Sequence, residues 1–157
     1  PFGAILIFLT GFGWAKPVPV DSRNMRNPRS NMVLVTAAGP AANIGMALFW
    51  ACVMLVAQSV DMGMAGMWLW NMARIGILIN VMLAVFNMLP IPPLDGGQVL
   101  TNLLPRGAAS NFMERIAPFG LFIVLGLLAT GVLSRLIWPP ITGLVGLIAD
   151  VFGLRMG

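Results

Sequence analysis

Two apolar runs, residues 32–57 and 68–89, decide what this chain can fold into. A helix needs about 20 apolar residues to cross the hydrocarbon core of a bilayer, and each run supplies them. Further apolar runs cover residues 118–134 and 141–154. Of 157 residues, 59% are hydrophobic and 9% are charged, where a soluble domain carries roughly 25% charge. The pattern predicts an all-α membrane protein, a polytopic transmembrane helix bundle. No polar linker divides the runs, so residues 1–157 read as one membrane domain.

Residues 2–15 are apolar but too short to span alone. Pro17 and Pro19 exclude helix and favour an extended chain over Trp14 to Val20. This predicts a short extended or re-entrant segment near the N-terminus. Residues 21–31 form a basic loop with Arg23, Arg26 and Arg29, which places it on the cytoplasmic side. Its charge speaks to orientation in the bilayer. It lacks the aromatic platforms and broad basic surface that nucleic acid needs. The chain opens on Pro1-Phe2-Gly3, which reads as the interior of a longer protein and not as a signal peptide.

Within 32–57, Ala37, Ala38, Gly39, Ala41, Ala42 and Gly45 crowd one stretch, where small side chains allow close helix approach. Asn43 lies one turn after Gly39 and should face protein. Residues 58–67 form a short turn, and Trp68 and Trp70 mark an interface. In 68–89, Gly76, Asn80, Ala84 and Asn87 fall on one helical stripe that should turn inward. Residues 105–117 read as a polar connection. Pro139-Pro140 should interrupt the last apolar stretch, leaving 141–154 as either a short crossing or an interfacial helix.

Asp95 stands where the second crossing ends, among Pro90, Pro92, Pro93, Gly96 and Gly97. A carboxylate at membrane depth is costly unless something pairs with it. Three uses fit its type and place. It could ligate a metal, carry a proton or ion in a transporter, or cap a helix in a purely structural bundle. Cys52 is the lone cysteine and there is no histidine, so the chain holds no internal disulfide and no Cys-rich metal site.

The segment from Asn87 to Gly97, NMLPIPPLDGG, resembles the NxxPxxPLDG motif of the site-2 protease family of intramembrane zinc metalloproteases. Ala38-Gly39-Pro40-Ala41-Ala42-Asn43 resembles that family's AGPxxN motif. Phe12 to Val20, followed by Arg26 to Arg29, is similar to the segment preceding it. The matches come in the family's order. The resemblance implies hydrolysis of membrane-embedded protein substrates with Zn2+ as cofactor and the lipid bilayer as surroundings. Asp95 would be the third zinc ligand, and Asn87 would hold the substrate or the developing oxyanion. Asn43, Pro92, Pro93 and Gly96 would contact substrate or pack around it. The family's two His ligands and general-base Glu belong to an HExxH helix that this chain does not contain. The expectation is therefore the C-terminal part of a longer, prokaryotic protease core, inactive by itself.

Overall fold

A computed structural model describes residues 28–59, 63–105 and 107–154. The expected extended segment at Trp14 to Val20 and most of the basic loop lie outside the described residues. Among the described residues six α-helices follow in order: α1 (Pro28–Ser59), α2 (Gly63–Asn87), α3 (Asp95–Leu103), α4 (Ala108–Ile116), α5 (Gly120–Ala129) and α6 (Val132–Phe152). A 3-10 turn, Ala117–Phe119, joins α4 to α5. Among the described residues there is no strand.

Both expected crossings are present as α1 and α2. Two other expectations need correction. The connection at 105–117 is helical from Ala108, because it is amphipathic: Ser110 and Met113 are buried while Glu114 and Phe112 face out. Pro139-Pro140 does not interrupt the chain. Both prolines lie inside the 21-residue α6. In lipid, leaving the helix would strip more backbone groups of partners than the two missing N–H donors do. The Thr142 hydroxyl adds hydrogen bonds to the Trp138 and Pro139 carbonyls, at 3.1 and 3.0 Å.

The main core joins α1, α2 and α6. Ala47, Ala51 and Met54 of α1 meet Ala73, Ile77 and Val81 of α2, with Ile141 and Ile148 of α6 behind them. Lipid removes the hydrophobic drive between helices, so close packing of small residues must hold the pair. Gly76 illustrates this, since a Cβ there would fall inside the Trp50 indole. Outside the core, Leu34, Phe49, Trp68, Phe122 and Val151 are among many large apolar side chains left exposed. A soluble monomer does not expose apolar surface on this scale. The protein is a multi-pass membrane protein.

Four stretches are long and apolar enough to cross a membrane by length and composition: Ser30–Ser59, Gly63–Asn87, Ala108–Ala129 and Val132–Phe152. Packing distinguishes the third from the others. Gly120 backs onto the Pro92 carbonyl, and Val124 joins Leu89 and Leu133 in a second small core. The α4–α5 stretch thus stays at the Asp95 end, and α6 starts there. At its other end, Gly153 borders Ser59 and Trp70, beside the α1–α2 turn. The last helix therefore runs back along α2 for the length of the bundle. In a Cys52→Ser background, cysteines introduced at Gly107 and Thr130 should react with a membrane-impermeant maleimide from the same side. A cysteine at Ser59 should react from the opposite side. Labelling of positions 107 and 130 from opposite sides would contradict this path.

Candidate metal centre at Asp95

Asn87 is the last residue of α2, and Asp95 is the first of α3. Prolines between them forbid a continuous helix, but the loop is not loose. The Leu89 N–H donates to the Phe86 carbonyl at 3.2 Å, Ile91 to Leu89 at 2.7 Å, and Leu94 to Ile91 at 3.0 Å. Gly96 and Gly97 then let the first turn of α3 rest on that loop. A Cβ on Gly96 would strike the Met88 and Leu89 carbonyls, and one on Gly97 the Ile91–Pro92 backbone. This close approach is the physical reason for two glycines after Asp95.

The Asp95 side chain reaches across to α1. Its Oδ2 lies 3.0 Å from where a Cβ on Gly39 would stand. The carboxylate is partly buried, and among the described residues it has no hydrogen-bond or ion-pair partner. It does not cap its helix: the N-cap is Leu94, and no side-chain cap bond forms. The helix-cap use of Asp95 is thereby set aside. Gly39 belongs to an exposed face of α1 that also carries Ala38, Ala42 and Gly45. Along α1, Gly39 precedes Ser59 by 20 residues, or about 30 Å of helix, which equals the hydrocarbon thickness of about 30 Å.

The other candidates differ in burial. Asn43 is partly buried one turn beyond Gly39. Asn87 is partly buried, whereas Asn80 on the same stripe donates its amide to the Gly76 carbonyl of its own helix at 2.8 Å. Pro92 and Gly96 are buried, and Pro93 is exposed. The Pro93 carbonyl accepts from Gln98 Nε2 at 3.3 Å. The role of Gly39 as the seat of Asp95 is not visible in sequence spacing. Its one signal is a glycine beside Pro40 in a run of alanines.

A zinc centre needs three protein ligands or more. Among the described residues no three His, Cys, Asp or Glu side chains converge on one point. Asp95 fits one ligand position, as a carboxylate with free lone pairs, and the chain has no imidazole to fill the others. On another side of α1 lies an apolar groove of about 660 Å³. Pro40, Ile44, Met88, Pro90 and Pro140 line it, and among the described residues no titratable group does.

Residues 57–128 match the family model of Peptidase family M50. A Bacillus subtilis protein named as a zinc metalloprotease, YwhC, is 39% identical over 142 residues, which is 88% of this chain and 64% of that protein. Proteins named likewise in Clostridium perfringens and Methanocaldococcus jannaschii are 32% and 39% identical over 75 and 66 residues. These alignments cover 45% and 42% of this chain and 21% and 31% of the relatives. The chain thus spans less than two thirds of the length of each of these relatives. No solved structure matches it. The stretch that matches peptidase family M50, the site-2 protease family, carries both Asn87 and Asp95.

Proposed function

We propose that this chain is the Asp95-bearing part of an intramembrane zinc metalloprotease that hydrolyses peptide bonds of transmembrane substrates. The observation that carries this reading is the Asp95 carboxylate, partly buried against Gly39 with no partner among the described residues. It stands beside an exposed, small-residue face of α1 on which another helix can lie close. Two imidazoles and a general-base carboxylate, the HExxH set, would come to that face from outside this chain. The transporter and structural-bundle alternatives have no comparable observation in their favour.

In this arrangement Asp95 holds one ligand position. Bound zinc supplies Lewis-acid polarisation of a water and of the scissile carbonyl. The Asn87 amide, placed where α2 ends, donates to the carbonyl oxygen as negative charge builds there. The irregular stretch from Met88 to Pro93, with Asn43 nearby, borders the space for the substrate. Helical carbonyls are already hydrogen-bonded, so the substrate must unwind locally before attack. The Arg residues before α1 support a cytoplasmic side for this end of the bundle.

The test is cleavage of a transmembrane substrate by the complete protein in proteoliposomes, with zinc content measured in parallel. Asn87→Ala should lower turnover by roughly 10²–10³-fold, the size of one lost oxyanion donor, with zinc retained. Unchanged turnover, or loss of zinc along with activity, would refute that role.

A further inference from the structure

Arg74 is the one charged residue in the 25-residue α2. Its Cζ stands 5.6 Å from the centre of the Trp70 ring. Among the described residues no carboxylate pairs with it. Trp70 precedes Asn87 by 17 residues, or about 26 Å of helix. With Asn87 near one edge of the hydrocarbon, Trp70 is near the other. Arg74 starts one turn deeper and extends back toward the Trp70 level, as a long cationic side chain does to reach the headgroup layer. Among the described residues this cation has a ring face and no counter-charge.

Beside Trp70 a groove of about 470 Å³ opens at the far end of the bundle from Asp95. Leu55, Gln58, Ser59, Trp70 and Gly153 border it. The Ser59 hydroxyl donates to the Leu55 carbonyl at 2.8 Å, and a hydroxyl oxygen can accept as well. Gln58 is exposed, and its amide can both donate and accept. Leu55, one turn deeper, continues the groove into apolar surface. A polar floor, an apolar continuation and an adjacent cation at the bilayer boundary match one ligand chemistry.

We propose that this groove binds an anionic phospholipid with a hydroxylated headgroup. Its phosphate lies against Arg74, its headgroup hydroxyls meet Gln58 and Ser59, and an acyl chain descends past Leu55. The inference does not depend on the protease reading. It predicts selectivity over a zwitterionic lipid, whose choline would approach Arg74 with like charge.

Native mass spectrometry of the complete protein in detergent, given equal phosphatidylglycerol and phosphatidylcholine, tests it. The first bound lipid should be phosphatidylglycerol by about fivefold, as one cation at a charged lipid surface gives. Arg74→Gln should remove that preference and Arg74→Lys should keep part of it. Gln58→Leu should weaken it without touching charge. Millimolar inorganic phosphate should not displace the lipid. A wild-type protein without preference, an Arg74→Gln variant with full preference, or displacement by inorganic phosphate would each overturn the proposal. Should Arg74→Gln fail to fold, the wild-type preference and Gln58→Leu decide it.

Discussion

Asp95→Ala in the complete protein should abolish cleavage and strip the protein of zinc, while the helix bundle persists. Asp95 is partly buried, bonds to nothing among the described residues and caps no helix, so its removal costs the fold only its packing against Gly39 and no hydrogen bond or ion pair among them. Stability in detergent should stay within about 0.5 kcal/mol, as for a side chain away from the core. Zinc affinity should fall by more than the roughly 10–100-fold that follows loss of a group supporting a ligand. Metal analysis and thermal melting on one preparation separate the two effects. Retained zinc together with lost activity would remove Asp95 from the ligand set.

Gly39→Val should nearly match that loss without touching any ligand. A Cβ at this position would stand 3.0 Å from Asp95 Oδ2, so the two branches of valine leave the carboxylate no room where it now rests. Gly39→Ala should act in the same direction but more weakly, since a shift of a few tenths of an ångström relieves a single methyl. Gly45→Val is the control. It lies on the same exposed face of α1, with nothing within 4 Å of its would-be Cβ. Zinc content and turnover should be normal in the control and depressed in Gly39→Val. Equal behaviour of the two variants would show that the Asp95–Gly39 approach has no bearing on the metal.

The sequence shows the two crossings because each is a long apolar run with no acid in it. It shows the inward turn of Gly76 and Ala84 because a helix has a known period, and the structure buries Ala84 and sets Gly76 on Trp50. The same period does not reveal that Asn80 spends its amide on its own helix. Pro139-Pro140 misleads because the cost of proline is known best in water, where a broken helix finds other partners. In lipid it does not. The path of 108–129 is invisible to hydropathy, since an apolar helix lying at one end of a bundle and one crossing it have the same composition. Gly120 against the Pro92 carbonyl distinguishes them, and that contact joins residues 28 positions apart. The seat of Asp95 on Gly39 spans 56 positions and depends on how the proline loop aims α3.

Zinc K-edge X-ray absorption on the complete protein carrying Asp95→Cys tests the ligand assignment most directly. A thiolate in that place should add one sulfur to the metal's shell at about 2.3 Å, against oxygen and nitrogen at about 2.0–2.2 Å in the unaltered protein. Zinc bound with no sulfur in its shell would contradict the account.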